Sequence, residues 1–239
     1  MPASTPIARS KTAVLSRVVD LVPRGYQRYV SGTVAVPKAL RLIEKFHAKY
    51  GIGCTPGQRI TRKKHGLANV ALVVYWPEGA ESVMWLLLAT DGDGLENESL
   101  GLVTDRRRLN WLGYELVRRT HRGRIAWTWK RPRQAMAEVY NELTALLQHR
   151  HQTAILELVE RLARQPGFHG VRAQSWKLFQ EARKRGYQGP FPKLFYMRKT
   201  CHGERLPLPV LTPTRPASSV LRRPGTDQSS RQSSSFVSS

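Results

Sequence analysis

The sequence predicts an α+β fold: a small antiparallel sheet packed with several helices, then a helical C-terminal part and a disordered basic Ser/Pro tail. Three observations predict it. Two nearly continuous apolar runs, residues 68–76 and 83–90, are separated only by the polar turn Pro77–Ser82, which reads as a hairpin of central strands covered on both faces. Residues 114–131 alternate in strand fashion around Arg122-Gly123. From Pro132 onward the apolar residues recur at helical spacing instead. The chain divides accordingly into a flexible N-terminus (1–12), a basic sheet domain (13–131), a basic helical region (132–205) and the tail (206–239).

Residues 1–12 are polar, with two prolines and no periodicity. Residues 13–22 fit a short helix or a strand, ended by Pro23-Arg24-Gly25. Arg24, Tyr26, Arg28 and Tyr29 form a small basic and aromatic mix. Pro37 opens a helix whose stripe is Leu40, Ile43, Phe46 and Tyr50, with Gly51 as its stop. His47 lies one position off that stripe and reads as a boundary residue. The loop Gly51–Gly57 matches neither GxGxxG nor a P-loop. Arg59, Arg62, Lys63 and Lys64 follow, placed to clamp phosphates or simply to lead, solvated, into a strand.

Asp91, Asp93, Glu96 and Glu98 crowd into eight residues. They lack the glycine and closing glutamate of an EF-hand, so a solvated turn is the simpler reading and no metal site is expected. Thr104–Arg108 reads as a basic loop or a helix start. In the hairpin that follows, a two-residue turn pairs Glu115 with Lys130, Leu116 with Trp129, Val117 with Thr128, Arg118 with Trp127, Arg119 with Ala126 and Thr120 with Ile125. That register sets Arg118 against an indole. Arg118, Arg119, Arg122 and Arg124 make the ribbon cationic, and a two-stranded ribbon fits a groove.

Pro132 begins a helix with the stripe Met136, Val139, Tyr140, Leu143, Leu146 and Leu147. His149 and His151 at i, i+2 point to different sides and suit no metal. Ile155, Leu158, Val159 and Leu162 mark a third helix. A fourth, near 171–185, turns Trp176, Phe179 and Ala182 inward. The break between these two is longer than a helix-turn-helix wants. Between Arg161 and Arg205, eleven Lys and Arg stand against Glu181 and Glu204. Arg183, Lys184 and Arg185 suit the end of a helix dipole or a phosphate. Residues 186–205 mix Tyr187, Phe191, Phe195 and Tyr196 with Lys193, Arg198 and Lys199, as a single-strand binding surface does. The alternative is that Phe191 and Phe195 anchor the segment on the core.

Composition narrows the function. The 239 residues carry 39 Lys and Arg against 17 Asp and Glu, a formal charge of +22, while 41% are hydrophobic and can form a core. Such self-repulsion is best relieved by a polyanion, and nucleic acid, DNA before RNA, is the expected partner. Cys54 and Cys201 stand in no CxxC and read as reduced thiols. No run approaches the roughly 20 apolar residues that span a bilayer, and no signal peptide is evident. A cytoplasmic protein without membrane partner follows. No GxSxG, HExxH, P-loop or kinase set is present, so no catalytic residue or cofactor is assigned. Were there catalysis, Asp91 and Asp93 with Glu115 would serve a metal-dependent nuclease.

The phrases Cys54-Thr-Pro-Gly-Gln-Arg-Ile-Thr-Arg-Lys-Lys-His-Gly-Leu-Ala-Asn69 and Gln165-Pro-Gly-Phe-His-Gly-Val-Arg-Ala-Gln-Ser-Trp-Lys-Leu-Phe179 resemble accessory proteins of proteobacterial plasmids and integrative conjugative elements. The resemblance covers residues 24–205. It carries no motif of assigned chemistry, so no site residue transfers. It implies a role in mobilisation, conjugative transfer, replication or maintenance of such an element, beside other plasmid-encoded DNA-processing proteins. A third reading is an interaction subunit of a relaxase or partition complex, its charge facing acidic protein surfaces.

Overall fold

The computed structural model describes residues 5–106, 108–121 and 123–196. Its elements run β1 (Ile7–Ala8), α1 (Lys11–Leu21), a 3-10 turn (Val22–Arg24), β2 (Arg28–Ala35), α2 (Val36–Tyr50), α3 (Pro56–Lys64), β3 (Val70–Tyr75), β4 (Ser82–Ala89), β5 (Gly101–Leu102), β6 (Asn110–Trp111), β7 (Tyr114–His121), β8 (Arg124–Lys130), α4 (Arg133–Gln148), α5 (Gln152–Ala163) and α6 (His169–Lys184). The fold is α+β. A five-stranded sheet has the order β1-β3-β4-β2-β5, and a three-stranded one the order β6-β7-β8. All pairs are antiparallel except β1 on β3.

The apolar runs of β3 and β4 are nearly continuous because both faces are covered. Val73, Tyr75, Leu86 and Leu88 meet Val14, Leu15 and Val18 of α1. Leu72, Val74, Val83, Leu87 and Ala89 meet Ala39, Ile43, Phe46 and Tyr50 of α2 on the other side. The first of these cores continues into the smaller sheet through Trp111, Tyr114, Leu116 and Trp129. The buried Trp129 indole donates to the Leu15 carbonyl at 2.8 Å, so α1 joins the two sheets. A third core gathers Leu143 of α4, Ile155, Leu158, Val159 and Leu162 of α5, and Leu178, Phe179 and Ala182 of α6.

The helical part is fastened to β8. Gly170 N–H donates to Thr128 Oγ1 at 3.1 Å. A Cβ at Gly170 would sit 2.5 Å from the Trp129 carbonyl oxygen, so only glycine lets α6 approach the strand this closely. Beside it, Arg131 runs its side chain into the joint.

Several expectations need correction. Within the N-terminal stretch read as flexible, Ile7 is buried and pairs with Val74, and α1 already begins at Lys11. Residues 28–35, of which only Arg28 and Tyr29 were read, as part of a basic and aromatic mix, are a strand between β4 and β5. Gly32 weakens the strand pattern there, but it lies opposite Trp85, whose ring would be 2.6 Å from any Cβ. Arg59–Lys64 is helical, not an extended lead-in. Trp176 faces outward, 53% exposed, and Phe195 is exposed also, whereas Phe191 does anchor its segment by stacking on Phe179. The tail 206–239 lies outside the described residues, as does Cys201.

One ion pair gives this part of the fold an acid sensitivity. Tyr50 Oη donates to Glu98 Oε1, and Lys49 Nζ reaches the same oxygen at 3.1 Å. The Tyr50 hydrogen bond, then Lys49, hold the Glu98 carboxyl below its usual 4.5. A depressed carboxyl contributes stability above its unfolded-state value, and that contribution is lost as pH falls through the folded-state value. Tyr50→Phe should therefore flatten the stability–pH curve below about pH 4.5, measured by urea unfolding. An unchanged acid limb would refute the assignment.

Candidate nucleic-acid interface

The basic run from Arg59 rides on α3. Thr55 and Gln58 form a capping box, with Thr55 Oγ1 accepting from Gln58 N–H at 3.3 Å and Gln58 Oε1 from Thr55 N–H at 2.9 Å, and Pro56 follows the cap. The helix buries none of its residues. It is held by polar ties instead: Arg62 donates to the Ala68 carbonyl at 2.9 Å from Nη2, and Asn69 Nδ2 donates to the Arg59 carbonyl at 3.2 Å. Arg62 is thus a structural clamp. Arg59, Lys63 and Lys64 are exposed and form no ion pair among the described residues. Arg59 and Lys63 are neighbours at i, i+4, where like charges cost helix stability. A bound phosphate would reverse that sign.

The β7–β8 ribbon has the register expected from the two-residue turn, all six pairs included. Gly123 supplies the positive φ of +73° that such a turn requires. At the ribbon base Glu115 takes Arg108 at 2.7 Å and Lys130 at 3.6 Å, so its carboxylate is spent there. Toward the tip no acid follows. Arg118 and Arg124 are exposed, Arg119 is half-buried, and Ile125 sits exposed beside them. Arg118 lies opposite Trp127, but its guanidinium makes no ring contact with that indole. Arg122 lies outside the described residues.

The three cations closing α6 do not share one role. Arg183 donates to the carbonyls of Tyr187 at 2.7 Å and Gly189 at 3.1 Å, with its guanidinium 4.6 Å from the Phe191 ring. Arg185 binds Glu181 at 2.7 Å, Thr144 Oγ1 at 3.1 Å, and Tyr140 Oη. Both terminate and staple the helix. Only Lys184 of the three is exposed without such a role. Arg198 and Lys199 lie outside the described residues.

No protein-family model, curated protein or solved structure matches this chain. The chemistry of its own surface therefore carries the argument. The acidic residues do not assemble a metal centre: Asp91 pairs with Arg28 at 2.7 Å, Glu98 with Lys49, and Glu115 with Arg108 and Lys130. Among the described residues no three His, Cys, Asp or Glu side chains are grouped to hold a metal ion. The constellation of Asp91, Asp93 and Glu115 that a nuclease would need is not formed. Nor is any helix of the described residues long and apolar enough to cross a membrane.

Phe191, Lys193 and Tyr196 of the aromatic and basic stretch line one wall of a cleft of about 480 Å³, and its other wall, Arg172 and Trp176 of α6, is the part not expected there. Its signal was present: Trp176 follows Ser175, which is fully buried, and so falls off the apolar stripe by about 100°.

Proposed function

We propose that this chain is a nucleic-acid-binding accessory protein, for DNA before RNA, of a bacterial mobile element. It would act in plasmid mobilisation and conjugative transfer or in replication and maintenance. The observation that carries the binding is the set of exposed, unpaired cations on two projecting elements, Arg59, Lys63 and Lys64 on α3 and Arg118 and Arg124 on the ribbon. Charge kept for solubility alone is usually mixed in sign, and neither α3 nor the ribbon beyond Glu115 carries an acid of its own. The mobile-element assignment rests on the two resembling phrases, 54–69 and 165–179.

Affinity for a short labelled duplex and its single strand, measured from low to high salt, tests the proposal. Phosphate contacts by these five cations and by Arg119 and Arg122 predict a log–log slope of about −5 to −6. Binding that is absent or indifferent to salt overturns it. A pull-down of protein partners that survives nuclease treatment, with no direct DNA binding, would transfer the charge to acidic protein surfaces instead.

A further inference from the structure

We infer that the cleft on α6 holds an unpaired base, so that this chain grips single-stranded nucleic acid by base stacking as well as by charge. The inference rests on the nucleic-acid reading above and adds a second mode of contact to it.

Start with the helix. Val171, Ser175, Leu178, Phe179 and Ala182 are buried and account for the packing of α6. Trp176 contributes nothing to that core, yet places a large ring half in solvent. The facing wall is firm at its root. Phe191 stacks on Phe179 with centroids 4.9 Å apart and planes within 4°, and it leans on Tyr187 at 5.4 Å. Pro192 then limits the backbone, and Lys193 and Tyr196 follow along the rim. Tyr196 is 76% exposed.

The chemistry of the lining selects the occupant. Among the described residues no Asp or Glu lines the cleft. The Arg172 guanidinium lies 3.2 Å from the Tyr196 ring centroid, so a planar cationic group already occupies a stacking position there. Arg172 Nε is buried and donates to nothing. The site therefore offers aromatic faces, the Arg172 guanidinium and the Lys193 ammonium. It asks for a flat ring carrying acceptors, attached to an anion. A nucleobase on its phosphate is such a group. An apolar peptide would leave Arg172 unsatisfied. The volume, about 480 Å³, lies within the range of about 300–1,000 Å³ common for small-ligand sites. Bases in a duplex present only edges, whereas an unpaired base has a free face to stack.

The test uses the full chain and two fluorescent oligonucleotides of equal length, one oligothymidine and one abasic throughout. Both offer the same phosphates and only the first offers bases. The wild type should bind oligothymidine roughly 5- to 100-fold more tightly. Trp176→Ala should abolish that preference, Trp176→Phe should keep most of it, and the salt slope should be the same in all three. Because Trp176 is outside the core, its replacement leaves the fold intact. Equal wild-type affinity for both oligonucleotides overturns the base site while leaving phosphate binding standing. A preference that survives Trp176→Ala overturns it too. Failure to bind either oligonucleotide overturns the nucleic-acid reading along with it.

Discussion

Arg131→Ala should cost about 2–4 kcal/mol of stability. Arg131 is only 3% exposed, and no carboxylate among the described residues pairs with it. Its guanidinium is held by neutral groups from the α5–α6 connection and α6: Nε donates to Gln165 Oε1 at 2.7 Å, Nη1 to the Val171 carbonyl at 3.2 Å, and Nη2 to Ser175 Oγ at 2.7 Å. Its backbone exchanges two more bonds with the Gln174 amide. Burial pushes its pKa down to about 10, so the group is still charged at neutral pH. The sign matters. A base whose folded-state value lies below its ordinary one is penalised for its charge in the fold, and that penalty eases only as pH rises through about 10. Removing the charge alone would thus help. Truncation to alanine also opens a cavity and takes the donors from Gln165 Oε1 and from Ser175 Oγ, which keeps only its 3.5 Å bond to the Leu162 carbonyl, at about 1–3 kcal/mol each, and that loss wins. Arg131→Met keeps the stem and drops the charge, so it should lie between alanine and wild type. Urea midpoints at constant m-value decide it. An alanine variant as stable as wild type would mean the joint between β8 and α6 is held by Gly170 and the core contacts alone.

What the sequence made legible follows from whether a pattern is local. The β3–β4 and β7–β8 pairs were readable because each strand carries its own pattern, a continuous apolar run in the first pair and alternation in the second, and each turn its chemistry, down to Glu115 opposite Lys130. Helices α4, α5 and α6 declared themselves by stripes, since each buries one face in a shared core. What stayed hidden has no face to bury or borrows its reason from elsewhere. Helix α3 buries nothing, so no stripe could reveal it, and its trace was the Thr55-Pro56 and Gln58 cap. Strand β2 carries Gly32, which reads as a breaker until Trp85 from β4 is laid over it. The two residues of β1 have meaning only against Val74 and Tyr75. For the site, a charge count located basic stretches but could not say which cations were spent. Arg185 finds Tyr140 forty-five positions away, and Arg62 folds back to Ala68, so both leave the set of ligand candidates for reasons no run of Lys and Arg encodes.

Replacing Arg118, Arg119, Arg122 and Arg124 together with glutamine should make the salt slope for duplex DNA shallower by about 3 to 4. Since the counterion contribution vanishes near 1 M salt, a change of that size corresponds to roughly a thousand-fold weaker binding at about 0.1 M. Glutamine keeps the aliphatic stem, which matters for the half-buried Arg119. It also leaves the Glu115–Lys130 pair and the Leu116–Trp129 pair that fix the register. A cationic ribbon of two strands has the width to enter a major groove, so the loss should be greater for duplex than for single strand. Trp176→Ala has the opposite preference, touching bases and not the duplex. The two variants therefore give a crossed pattern if ribbon and cleft are separate contacts on one ligand path. Should the four substitutions leave the slope unchanged while neutralising Arg59, Lys63 and Lys64 reduces it, α3 is the phosphate-binding element. The ribbon would then carry charge without a partner, and the unpaired like charges of Arg59 and Lys63 would have their explanation.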